Sequence, residues 1–180
     1  MNSTVSCKER RPDSIANRKV EYLSVAVLAL ILMGSANLFG QTNLTINATV
    51  ASRAELTLSP TTINFPDASP TTSPSIAANS TVSVTARVRT GSASTPTLTV
   101  LANGDLVSGA QTIAISNVTW TASGAPFIGG TMNKTTAQNA ASFSQGSGTY
   151  AGSYSYSLAN SWSYDTGSYT QTATYTLTAP

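Results

Sequence analysis

Apolar and polar residues alternate along most of the chain after residue 40. From Leu44 to Leu58 the even positions read Leu44, Ile46, Ala48, Val50, Ser52, Ala54, Leu56 and Leu58. The odd positions read Thr45, Asn47, Thr49, Ala51, Arg53, Glu55, Thr57 and Ser59. A period of two is what a half-buried β-strand requires, because successive side chains point to opposite faces. The pattern returns in Val82-Ser-Val84-Thr-Ala86-Arg-Val88, in Val118-Thr-Trp120-Thr-Ala122, and from Tyr150 through Tyr154, Tyr156 and Leu158 to Trp162 and Tyr164. It is cleanest at the C-terminus, where Tyr169, Gln171, Ala173, Tyr175, Leu177 and Ala179 share one face and threonines fill the other. No helical stripe of comparable quality occurs beyond the first forty residues.

Turn chemistry punctuates these runs. Asn103-Gly104-Asp105 separates Leu98-Thr-Val100 from Leu106-Val107 and predicts a hairpin there. Ser108-Gly109, Ser123-Gly124 and Asp165-Thr166-Gly167 mark further turns. Pro60, Pro66, Pro70 and Pro74 make 60–80 a loop-rich stretch around a short strand at Ile63–Phe65, and 131–148 is polar with weak patterning. The expectation is an all-β domain of seven to nine short strands, an immunoglobulin-like antiparallel β-sandwich.

The first forty residues are different. Lys8, Arg10, Arg11, Arg18 and Lys19 form a basic region, followed by an eleven-residue apolar run from Leu23 to Met33 and then Gly34-Ser35-Ala36. A positive region, an apolar core and a small-x-small site make a secretory signal peptide, a helix over residues 1–36 with cleavage after Ala36 or as late as Gly40. The apolar run is short of the roughly 20 residues needed to cross a bilayer. The membrane is therefore met only through this segment, and the exported chain is expected at the cell surface, in the periplasm or outside the cell. Residues 37–53 then form an N-terminal extension or the first part of a long first strand, and 54–180 the sandwich. Cleavage would also remove Cys7, the only cysteine.

What remains is nearly uncharged. Arg53, Arg87, Arg89 and Lys134 balance Glu55, Asp67, Asp105 and Asp165, while 27 Thr and 21 Ser supply a hydroxyl on every third residue of 41–180. The chain has no histidine, so Ser–His–acid and Cys–His catalysis and His/Cys zinc sites lack their parts. The four carboxylates stand apart in sequence, three of them beside turns, where local backbone hydrogen bonding accounts for them. Lys134 has no Ser-x-x-Lys around it. Neither an enzyme nor a cofactor or metal is expected, and four scattered cations give nucleic acid little to bind. Glycosylation sequons at Asn43, Asn47, Asn79, Asn117 and Asn133 barely exceed the number that so much Ser and Thr brings by chance.

Two functional readings follow from the residues. The alternating run of 44–58 is 15 residues long, against a usual strand of about 5–6. It is either one long edge strand or two units, a free extension over Thr42–Val50 and a first strand over Ala54–Leu58. In the second case Leu44, Ile46, Ala48 and Val50 are in phase to be inserted as a strand into a neighbour's sheet. The alternative is a self-contained, carbohydrate-binding or adhesin-like module presenting Trp120, Trp162, Tyr154, Tyr156 and Tyr164 as a sugar-stacking face.

The alternating N-terminal segment, Leu56-Thr-Leu-Ser-Pro-Thr-Thr-Ile-Asn-Phe65 and the C-terminal Gly167-Ser-Tyr-Thr-Gln-Thr-Ala-Thr-Tyr-Thr-Leu-Thr178, behind an export signal, resemble spore coat protein U-like and related chaperone–usher pilin subunits. The likeness covers about 35 residues at the two ends; the family's cysteine near the first strand is missing, and Pro66 stands where Gly often follows the aromatic. The resemblance implies an incomplete sandwich that a donor strand from another copy or related subunit completes, with a periplasmic chaperone as an earlier partner. It puts the donor at Leu44–Val50 and the last strand at Ser168–Ala179, where Tyr169, Ala173, Tyr175 and Leu177 would line the recipient groove.

Overall fold

The computed structural model describes residues 40–180; the signal segment over 1–36 and Cys7 lie outside the described residues. The chain divides into units Met1–Asn47 and Ala48–Pro180. Of the first, residues 40–47 are described, and they carry no strand.

The second unit is all-β, with one 3₁₀ turn at Ile115–Asn117. Its strands are β1 (Arg53–Ser59), β2 (Ser75–Ala77), β3 (Val82–Arg89), β4 (Thr97–Ala102), β5 (Leu106–Ser108), β6 (Gln111–Ile113), β7 (Val118–Ser123), β8 (Gly130–Thr131), β9 (Gln138–Asn139), β10 (Gly148–Ala159) and β11 (Ala173–Thr178). Eleven described strands exceed the expected seven to nine because short pairings such as β8 and β9 carry no alternation of their own.

Every pairing is antiparallel. The larger sheet runs β1-β3-β10-β7-β8, with β2 also on β10; the smaller runs β11-β4-β9; β5 and β6 form a separate hairpin. The alternation fixes which side each strand buries. In β3, Val82, Val84, Ala86 and Val88 are buried while Ser83, Arg87 and Arg89 face solvent. Twelve-residue β10 is the spine of the large sheet, pairing with β3 through its first half and with β7 and β2 through its second. Leu98, Val100 and Ala102 of β4 meet these side chains from the small sheet, in one core with Trp120, Phe127, Tyr154 and Tyr156. Two sheets closing on one apolar layer is the arrangement of a β-sandwich. Among the described residues no polar or charged residue is fully buried.

Hydroxyls fasten the layers. Tyr154 Oη, wholly buried, donates to the Ala140 carbonyl at 2.6 Å, and Ala140 N–H donates to the Leu98 carbonyl of β4. The hydroxyls of Tyr156 on β10 and Tyr175 on β11 lie 2.5 Å apart, one hydrogen bond spanning the two sheets. Gly152 faces inward on β10 where Phe127 crosses it; a Cβ there would stand 2.5 Å from the ring.

Three local expectations are corrected. Asn103-Gly104-Asp105 does not join a hairpin, because β4 pairs with β11 and β9 and β5 with β6. The Asn103 N–H and side-chain amide both go to Thr172 instead. Ile63–Phe65 is not a strand, although both residues pack on the core. Trp162 and Tyr164 do not continue β10: Asn160 turns the chain away, its amide held by the Ala68 and Ser73 carbonyls.

Candidate functional site

Two strands end their sheets on the same side of the sandwich. β1 is bonded only to β3, in the register Arg53↔Arg89 to Ser59↔Ser83. β11 is bonded only to β4, in the register Ala173↔Ala102 to Thr178↔Thr97. Neither pairs with the other. Each therefore keeps one row of backbone N–H and C=O groups without a ladder partner, the feature that makes an edge strand a template for another strand.

The side chains at this seam are less covered than the rest of the core. Inward-facing Leu56 and Leu58 of β1 and Tyr175 and Leu177 of β11 are all half-buried. Their counterparts Val84 and Ala86 on β3, and Leu98 and Val100 on β4, are at most 1% exposed. Ser52 Oγ donates to the Pro180 carbonyl at 3.2 Å, and Thr90 Oγ1 also donates to it. The start of β1 thus lies beside the end of β11, and the two strands run in opposite directions. A strand laid between them would be parallel to one and antiparallel to the other.

Upstream of β1 the alternation persists without pairing. Leu44, Ile46 and Val50 are 84%, 83% and 69% exposed, and Ala48 is exposed too. Among the described residues β1 begins at Arg53, and 44–52 carry no strand.

The expected groove residues are placed unequally. Tyr175 and Leu177 face inward on β11; Ala173 is exposed at its first position. Tyr169 precedes the strand, half-buried, its hydroxyl donating to the Asp165 carbonyl at 2.9 Å. The strand expected from Ser168 starts only at Ala173, since Gln171 uses its amide to hold the Asp105 carbonyl at 2.7 Å. Leu56 and Leu58 were legible as apolar but not as lining, because only the topology sets β1 and β11 on one seam.

The aromatic series does not form a surface face. Trp120, Tyr154 and Tyr156 are core, with Trp120 Nε1 donating to the Ile128 carbonyl at 2.9 Å. Tyr164 is half-buried, its hydroxyl donating to the Ala159 carbonyl and accepting from Asn117 Nδ2. Trp162 alone stands out, 75% exposed, with Nε1 on Thr71 Oγ1 at 3.2 Å.

Among the described residues four titratable groups are shifted by their surroundings. Burial raises the phenol pKa of Tyr154, Tyr156 and Tyr175 above the ordinary value near 10. The Asp105 carboxyl is held below its usual range by its bond to Lys134 Nζ and then by the Ile115 N–H, which occupy its two oxygens. Glu55 pairs with Arg87 at 3.3 Å on the outer face of the large sheet. Among the described residues no group of three or more His, Cys, Asp or Glu comes together as metal ligands would, and no helix is long and apolar enough to cross a membrane. Compared with known proteins, the chain matches no family model and none of the curated sequences.

Proposed function

We propose that this chain is an exported structural subunit that assembles by β-strand complementation. Its sandwich would be an immunoglobulin-like one short of a strand, as in spore coat protein U-like and pilin subunits. The extension of one copy would fill the seam of the next. The observation that carries this reading is the pairing of two unmet needs within one chain. β1 and β11 leave their edges and the side chains of Leu56, Leu58, Tyr175 and Leu177 incompletely covered. Leu44, Ile46, Ala48 and Val50 form an exposed strand-period segment with no sheet to join.

The match has an energetic condition to meet. Burying a Leu, Ile or Val side chain contributes roughly 1.5–3 kcal/mol, and each new ladder bond about 0.5–1.5 kcal/mol net. Those gains must exceed about 1–2 kcal/mol of backbone entropy for each residue ordered. A preformed recipient seam helps, because only the donor has to be ordered. The basic and apolar segment at 8–36 supports export, copies of the same chain are the expected partners, and a periplasmic chaperone could hold the seam before assembly.

Deleting residues 41–52 and sizing the product by size-exclusion chromatography tests the reading. The full chain should elute as oligomers and the deleted one as a monomer of lower stability. Unchanged size together with unchanged stability would sink it.

A further inference from the structure

The sandwich has two unlike ends. At the entry end, where the extension joins β1, lie Ser52, Thr90 and Pro180. At the far end lie the loops that follow β1, β4 and β10, bound together by Asn160 to Ala68 and Ser73, by Val107 with Thr170, and by Gln171 to Asp105. Besides Leu44, Ile46 and Val50, the large apolar side chains left exposed among the described residues are Val107, Ile128 and Trp162. Val107, on β5 after the β4 loop, is bridged to Thr170 of the loop that follows β10, the loop that also carries Trp162.

Charge divides the same way. Two ion pairs among the described residues, Arg87–Glu55 and Lys134–Asp105, consume four of the eight charges in this unit. The remaining cations, Arg53 and Arg89, are cross-strand neighbours at the entry end. The remaining anions, Asp67 and Asp165, are exposed on the far-end loops, beside the Ala68 carbonyl that Asn160 holds and the Tyr164 that follows Trp162.

We propose that the far end, with Asp67, Val107, Trp162 and Asp165, is the seat for the entry end of the next copy, which presents Arg53 and Arg89. The inference rests on the complementation reading and sets its direction. Arg53 follows Val50 by three residues, a reach of at most about 10 Å. Wherever the donor leaves the seam, its own Arg53 must therefore sit close by. Leaving at the entry end would set it against the recipient's Arg53 and Arg89, a like-charge contact. Leaving at the far end sets it at the end of the sandwich whose loops carry the exposed Asp67 and Asp165. It also leaves the recipient's extension free to fill another seam, so that the head-to-tail contact repeats as an open filament.

Charge reversal in the full chain tests this. One variant carries Asp67→Lys and Asp165→Lys, the other Arg53→Glu and Arg89→Glu. Alone, each should need about tenfold more protein to assemble at low salt, equivalent to about 1.4 kcal/mol per contact. Mixed one to one they should recover, since each altered end then meets an opposite charge. Native-like assembly of each variant alone, or a mixture no better than its parts, would overturn the proposal. Binding of a synthetic peptide of residues 42–52 to the unassembled variants separates the two ideas. Peptide binding without rescue removes the end-to-end contact and keeps complementation. Rescue without peptide binding keeps the contact and removes complementation.

Discussion

Tyr175→Phe and Tyr156→Phe should each destabilise the sandwich, and the two together should cost less than their sum. The hydroxyls meet at 2.5 Å, and neither has another protein partner among the described residues. Tyr156 is 5% exposed, whereas Tyr175 is half-buried at the seam. Removing the Tyr175 hydroxyl strands a buried phenol, costing about 1–3 kcal/mol. Removing the Tyr156 hydroxyl strands the Tyr175 phenol, which burial also desolvates, at a cost of the same order. The double replacement leaves two matched apolar rings and should recover part of the first loss. Urea unfolding of the four chains, held unassembled, measures the cycle, and 1 kcal/mol corresponds to about 3–5 °C in Tm for a domain of this size. Additive losses would refute the reasoning.

Stability should fall above pH 10. The unfolded chain releases phenol protons near pH 10, while Tyr154, Tyr156 and Tyr175 retain theirs when folded. The folded state then binds more protons, so unfolding free energy declines with pH by up to about 1.4 kcal/mol per unit per tyrosine. Their contribution is complete below pH 10 and disappears progressively above it; denaturation at pH 8, 10 and 11 reads the slope, and a flat profile contradicts the burial. Gly152→Ala should cost about 1–3 kcal/mol by overpacking, because its Cβ would meet Phe127 and the Ser123 carbonyl at 2.5 Å; thermal melting checks it. Asp105→Asn should flatten the acid limb of stability, since a carboxyl held below its usual range stabilises above its unfolded pKa and loses that contribution as pH falls.

How much was legible depended on whether information was local. β3, β7 and β10 follow from alternation, because a half-buried strand writes its inner face directly into sequence. The split of the 44–58 run was readable as one of two options, since alternation marks a strand-competent segment but not its partner. Asn103-Gly104 misled because turn propensity is short-range while its backbone was captured by Thr172, 69 residues away. Trp162 and Tyr164 kept the period of β10, yet the side-chain bonds of Asn160 ended the strand. The seam was least legible: Leu56 and Tyr175 lie far apart in the chain, and only the sheet order makes both of them edge positions. Tyr156 and Tyr175, assigned to two separate candidate sites by sequence, turn out to bond each other.

Hydrogen exchange at the two free edges tests complementation most directly. Backbone amides in 53–59 and 173–178 would be compared in the assembled chain and in an Ile46→Asp variant, which carries a charge where the donor must be apolar. The account predicts slowed exchange at both edges on assembly and no such protection in the variant. Assembly that leaves exchange at both edges unchanged would contradict it.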